Sequence, residues 1–327
     1  MVNILIFGTG SVGTVYAMIL LNAGANLTCL CRSNLEAAKS HGFTIKSSIF
    51  GEQKIFPTVV GSIQEVADAN SSSPFDFVVV STKATSQSAV AAVTSLRPLV
   101  KAHFTTIVLI QNGIGIENSF HDAFPDNSII SGVTYLPTSR IGQTVYSHTE
   151  TQILHLGPFP AGRASAAERQ HTDDFAALIR AGGGHALVHT DVQVERWKKL
   201  IGNTTWNPIC ALSRCRDLEF LQSSVLAPDF VRRVMLEVVA VANAIGYGEH
   251  IQLSAVESQM QRSAARSWPG VEPSMMSDMS HTRTMEVEAI VGQVVQVAKG
   301  NGIDVPRLET LYVLLSGLDW ALKSKKQ

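Results

Sequence analysis

Residues 2–13 read V-N-I-L-I-F-G-T-G-S-V-G, an apolar run of strand length that breaks into three glycines. An apolar, helix-compatible stretch from Thr14 to Ala23 follows. Strand, tight turn and helix in that order are what the pattern predicts. Gly8-Thr9-Gly10-Ser11-Val12-Gly13 is then G-x-G-x-x-G in the context that gives it meaning. Its glycines let the backbone turn, let a pyrophosphate approach the helix N-terminus, and let helix and strand pack closely. A plain structural turn would also use glycine, but would not need to stand directly behind an N-terminal strand.

Working outward, Leu27 to Cys31 is a second apolar run after the turn-forming A-G-A-N, which completes a βαβ unit. Downstream, P-F-D-F-V-V-V-S-T-K (74–83) and T-T-I-V-L-I-Q-N-G (105–113) are β-rich and end in polar residues. Alternation with helices such as Ser86 to Ala102 predicts a parallel, doubly wound sheet, a Rossmann-like α/β domain. From Ile129 to Leu156 short strand-like pieces separated by Pro, Gly and Ser read as antiparallel strands added to the same sheet. Ala161 to Gln170 reads as a solvated connector and Ala181 to Gly184 as a glycine-rich turn. After His189 the pattern is helical to the end. The chain is thus expected to hold a nucleotide-binding domain over 1–189 and an all-helical domain over 190–327.

A net charge of −1 over 327 residues and a pI near 6.8 give no basic field to draw phosphate backbones or anionic lipid. Nucleic acid and membrane are excluded as expected partners. No apolar run reaches the roughly 20 residues that span a bilayer, and no signal peptide is recognisable, so a soluble, cytoplasmic chain is expected. Four cysteines, at 29, 31, 210 and 215, fit neither a disulfide framework nor a paired zinc motif. No metal is expected. The oligomeric state stays open, a homodimer included.

Two further stretches carry chemistry. The end of the second strand reads T-C-L-C-R-S-N and holds no acid to accept a ribose 2′-hydroxyl. Arg32, flanked by Ser33 and Asn34, suits a phosphate instead, so NADP(H) is favoured over NAD(H); a solvated surface arginine is the alternative. The stretch W-K-K-L-I-G-N-T-T-W-N-P (197–208) puts Lys199, Asn203 and Asn207 on one helical face. A carbonyl reductase needs a proton donor and groups that hold its substrate. Lys199 can give the proton and stabilise an oxyanion, and the two asparagines can orient a substrate without adding charge. A merely solvated face fits poorly with Trp197, Leu200, Ile201 and Trp206 beside it. In the polar segment 274–288 neither Glu286 nor His281 stands out by pattern alone.

The motifs I-F-G-T-G-S-V-G, V-V-V-S-T-K-A, I-V-L-I-Q-N-G-I-G, W-K-K-L-I-G-N-T-T-W-N-P, S-M-M-S-D, M-E-V-E-A-I-V-G and G-N-G-I-D-V-P occur in this order. As an ordered set over nearly the whole chain, they resemble the ketopantoate reductase (2-dehydropantoate 2-reductase) family. The resemblance implies an NADPH-dependent reductase with a helical C-terminal domain of the 6-phosphogluconate dehydrogenase-like type, and a short branched 2-oxo acid as substrate. It implies Lys199 as general acid and Glu286 as the acid of the active-site network. Asn203, Asn207 and Ser274 would be substrate contacts, and Lys83 and Asn112 cofactor-side contacts. The chain departs from the family after N-P, where it reads I-C-A-L-S-R-C-R-D-L-E-F. Asp217 falls where a substrate-binding asparagine is expected, with Arg214 and Arg216 close by in sequence. The reaction type stands and the exact oxo acid is open; the rivals are a relative with another oxo acid or a larger metabolite, and a non-catalytic NADP(H) sensor.

Overall fold

The computed structural model describes residues 1–69 and 73–324. The chain divides into two units: residues 1–83, 87–111 and 116–192 form the first, and residues 84–86, 112–115 and 193–327 the second.

The first unit runs β1 (Asn3–Phe7), α1 (Ser11–Asn22), β2 (Asn26–Leu30), α2 (Leu35–His41), β3 (Phe43–Ser47), β4 (Gly51–Ile55), β5 (Thr58–Val60), α3 (Ile63–Ala69) and β6 (Phe77–Val80). It continues with α4 (Ser86–Leu96), β7 (Thr106–Leu109), α5 (Asn118–Ala123), β8 (Ile129–Tyr135), β9 (Thr138–Arg140), β10 (Val145–His148), β11 (Ile153–Phe159), α6 (Ala166–Ala181) and β12 (Ala186–Val188). Eight strands form one sheet in the order β12-β11-β8-β7-β6-β1-β2-β5. All its pairs are parallel except β8 with β11.

Every residue of β1, β6 and β7 is buried, as a parallel sheet covered on both faces requires. Alternation along β1 divides the core. Ile4 and Ile6 pack with Val15, Tyr16 and Ile19 on one face, while Leu5 and Phe7 pack with Val78, Leu96 and Leu109 on the other. Because β1 lies between β2 and β6, the connections leave it in opposite directions, and the carboxyl end of β1 is the switch point where such sheets bind ligands.

Two expectations need correction. The strands between Ile129 and Leu156 do not all join the main sheet: β9 and β10 pair with β3 and β4 in a separate sheet, order β4-β3-β10-β9. In addition, the stretch read as a solvated connector runs into α6, whose start is fixed by a reciprocal cap between Ser165 and Glu168.

The second unit is helical: α7 (Gln193–Ser213), α8 (Asp217–Gln222), α9 (Ala227–Ala242), α10 (Leu253–Ala264), α11 (Ser274–Ser280), α12 (Gln293–Gly300) and α13 (Pro306–Ser324), with a π-helical turn at Glu288–Gly292 before α12. The long α7 packs against α9, α11 and α13. Its Trp197, Leu200, Ile201 and Ile209 enter a core with Val234, Val238 and Val294. The helix runs through Pro208 to Ser213. No helix among the described residues is long and apolar enough to cross a membrane.

Candidate active site

In the first unit the glycine turn has the geometry its sequence predicts. Gly8 has φ +110°, and a Cβ there would lie 2.8 Å from the Thr82 backbone nitrogen. A Cβ on Gly13 would lie 2.2 Å from the Gly8 carbonyl oxygen, so these two glycines are required by the close approach of turn, helix and β6 end. Gly10 differs: no atom comes within 4 Å of a Cβ built there. It is also the N-cap of α1, with no side-chain cap and no acid in the first turn. A bare helix N-terminus beneath open space fits an anionic pyrophosphate.

Neighbouring side chains hold the turn in shape. Thr9 donates to the Leu30 carbonyl at 2.8 Å and meets Cys31 Sγ at 2.8 Å. Ser81 Oγ donates to the Gly8 carbonyl at 2.7 Å. Ser11 opens α1, and Val12 packs against the core. Gln111, which the sequence reading passed over, donates to the Thr82 carbonyl at 2.6 Å. It thereby ties the end of β7 to the β6 end that carries Lys83.

Arg32 is exposed beyond β2 and lines a cavity of about 430 Å³ with Ser33, Glu36, Ser40, His41 and Gln143. Asn34 does not flank it as expected. Its amide is buried and reaches the Tyr146 hydroxyl at 3.3 Å, which in turn donates to the Thr9 carbonyl at 3.3 Å. Desolvation by burial raises the Cys29 and Cys31 thiols above their usual range, as suits packing residues rather than nucleophiles.

In the second unit, α7 presents Lys199, Asn203 and Asn207 at successive turns. Lys199 Nζ donates to Asn112 Oδ1 at 2.8 Å. Asn112 Nδ2 donates to Glu286 Oε2 at 3.5 Å, and Glu286 Oε1 accepts the Ala84 N–H at 2.8 Å. The Asn112 amide, expected on the cofactor side, thus stands between an ammonium and a buried carboxylate. Farther along α7, Asn207 Oδ1 accepts from Ser274 Oγ at 3.2 Å and from the Met275 N–H at 3.0 Å. Its Nδ2 donates to the Asn203 carbonyl at 3.0 Å. Two groups of contacts thus start from this helix: Lys199 with Asn112 and Glu286, and Asn207 with Ser274.

Burial first and the neighbouring Arg196 cation second lower the Lys199 ammonium to about 8, with Glu286 opposing the change. Near neutral pH such a lysine is mostly charged yet gives up its proton readily.

Asp217 is engaged elsewhere. It is fully buried, and its Oδ1 accepts the Leu218 N–H at 2.9 Å and the Val271 N–H at 2.7 Å. Its Oδ2 accepts from Arg266. These bonds pin the loop after α10 to the start of α8, and they engage both carboxylate oxygens of the residue expected to contact substrate. Arg216, next to it in sequence, pairs with Glu272 and caps α8 with Glu219. His281 is exposed and meets the Ser277 carbonyl at 2.8 Å.

Two family models match the chain: "Ketopantoate reductase PanE/ApbA" over residues 4–161 and its C-terminal companion over residues 191–319. An uncharacterized protein of Saccharomyces cerevisiae is 28% identical, covering 100% of this chain and 96% of its own length. The 2-dehydropantoate 2-reductase of a Nostoc species is 26% identical over 96% of this chain and 94% of its own. A crystal structure of 2-dehydropantoate 2-reductase from Methylococcus capsulatus superimposes with a TM-score of 0.83 at 29% identity, covering 98% of each chain.

Proposed function

The chain belongs to the ketopantoate reductase family, and from that membership we propose that it reduces a 2-oxo acid to a 2-hydroxy acid with NADPH. The simplest substrate is 2-dehydropantoate, giving (R)-pantoate for pantothenate and coenzyme A synthesis. The observation that carries this reading is the chain of contacts from Lys199 through Asn112 to Glu286.

When bound, the nicotinamide supplies a hydride to the C2 carbonyl carbon. Lys199 Nζ gives the carbonyl oxygen its proton and, while charged, stabilises the developing oxyanion. Asn112 holds the ammonium in one direction, and Glu286 fixes that amide from its far side. Asn203, Asn207 and Ser274 offer amide and hydroxyl groups to the substrate carboxylate and hydroxyl without adding charge. Gly8 to Gly13 receive the pyrophosphate, Lys83 adds a cation beside that turn, and Arg32 takes the 2′-phosphate.

A second reading, reduction of a different 2-oxo acid, is favoured by Asp217. Where the family pattern has a substrate-binding asparagine, this chain has a carboxylate already held by Leu218, Val271 and Arg266. The experiment is to follow NADPH absorbance with 2-dehydropantoate and a panel of linear, branched and aromatic 2-oxo acids. Turnover of 2-dehydropantoate at the highest kcat/KM supports the first reading, and a better aromatic or linear acid supports the second. Cofactor binding without turnover of any oxo acid overturns both.

A further inference from the structure

Arg196 precedes Lys199 by three residues on α7, so the two side chains share one side of the helix. It is only 2% exposed, which is unusual for arginine. Its Nη1 donates to the Gly113 carbonyl at 3.0 Å, and Gly113 directly follows the Asn112 that receives the Lys199 proton donor.

The 112–115 segment is held at close quarters. Gly113 has φ +100°, and a Cβ there would lie 2.3 Å from the Ala289 carbonyl oxygen. The next residue, Ile114, donates its N–H to that same carbonyl at 3.0 Å. Side-chain bulk cannot anchor Gly113, so hydrogen bonds do: Arg196 holds the Gly113 carbonyl, and the Ala289 carbonyl holds the adjoining Ile114 N–H.

We infer that Arg196 is a positioning residue for the reductase reaction: it clasps the Gly113 carbonyl to aim the Asn112 amide, and its fixed charge eases release of the Lys199 proton. The inference rests on the reading of Lys199 as proton donor.

The charged groups around Lys199 allow the effect of Arg196 to be isolated. Glu286 is the carboxylate that acts on it, and it pulls the other way. Glu195, one turn earlier on α7, is paired with Lys198 at 2.8 Å. On the elements packed against α7, Asp278 pairs with Arg283, Asp217 with Arg266, Glu237 with Arg307, and Glu288 accepts from Tyr312. Segment 112–115 contributes amides and no charge. A buried cation three residues away on the same helix disfavours a second positive charge. Lys199 is accordingly lowered to about 8, with Arg196 the second cause after burial.

The test follows the Lys199 side chain by NMR titration of lysine-labelled protein, assigned against Lys199→Arg, alongside the pH profile of kcat/KM. In Arg196→Met the lysine should titrate about one unit higher, and the basic limb of the profile should move with it. Arg196→Lys keeps the charge but loses the planar fork. There the titration should stay within about 0.3 units of the parent, while kcat falls about tenfold as Asn112 loses its aim.

A Lys199 titration in Arg196→Met that superimposes on the parent overturns the electrostatic part. Parental kcat in Arg196→Lys overturns the clasp. Should Arg196→Met not fold, Arg196→Gln replaces it in the same titration. The titration reads the lysine whether or not any oxo acid is turned over, so loss of the reductase reading and loss of this inference give different results.

Discussion

Glu286 and Asp217 are both buried carboxylates of the helical unit, 8% and 0% exposed, and both accept backbone N–H groups. They differ in where the rest of each carboxylate leads. Glu286 meets an amide that holds a titratable ammonium. Asp217 meets a guanidinium in the loop it already pins. A buried carboxylate has to be paired in either case, because an unpaired one costs several kcal/mol. Burial and charge therefore do not tell the two residues apart, and the identity of the next group along the contact does.

Lys199→Ala should give the largest effect, a fall in kcat of at least about 100-fold with the thermal midpoint close to that of the parent. Near-normal turnover in that variant would erase the contrast. Asp217→Ala should instead lower stability by about 3 kcal/mol, since it strands Arg266 and two backbone donors. Urea unfolding measures this loss, and the folded fraction should keep kcat within about twofold. A loss of turnover matching that of Lys199→Ala would return Asp217 to the active site.

In the first unit, Arg32→Ala should weaken NADPH about tenfold and leave NADH nearly unchanged. Nucleotide fluorescence titrations check this, and equal losses would remove the phosphate contact. The mildest test begins with the unaltered protein. With Lys199 at about 8, a neutral lysine has no proton to give, so kcat/KM for reduction should be flat below that pH. Above it the value should fall about tenfold per unit. Asp217→Asn should keep this limb in place, whereas Lys199→Ala should abolish it.

Much of this was legible in local pattern. The glycine turn, the buried strands and the polar face of α7 each follow from periodicity within one segment. What escaped depends on distant partners. The sheet formed by β3, β4, β9 and β10 joins segments about 100 residues apart, such as Val145 with Thr44, and its short strands are only partly buried. The anchoring contacts of Asp217 escaped because its partners Arg266 and Val271 lie about 50 residues on. Arg196 carries a charge that by composition belongs in water, and only the fold shows it buried against Gly113. The start of α6 is a different case, since the S-A-A-E cap was present in the sequence and was outweighed by composition.

Asn112 turns its carbonyl oxygen to Lys199 and its nitrogen to Glu286. A side-chain amide cannot exchange those ends: its nitrogen does not surrender a hydrogen near neutrality, and its oxygen has none to offer. The link orients without conducting. On the proposed reading, a Lys199 that has given up its proton is not refilled through this amide, so Asn112 serves to aim the ammonium and not to recharge it.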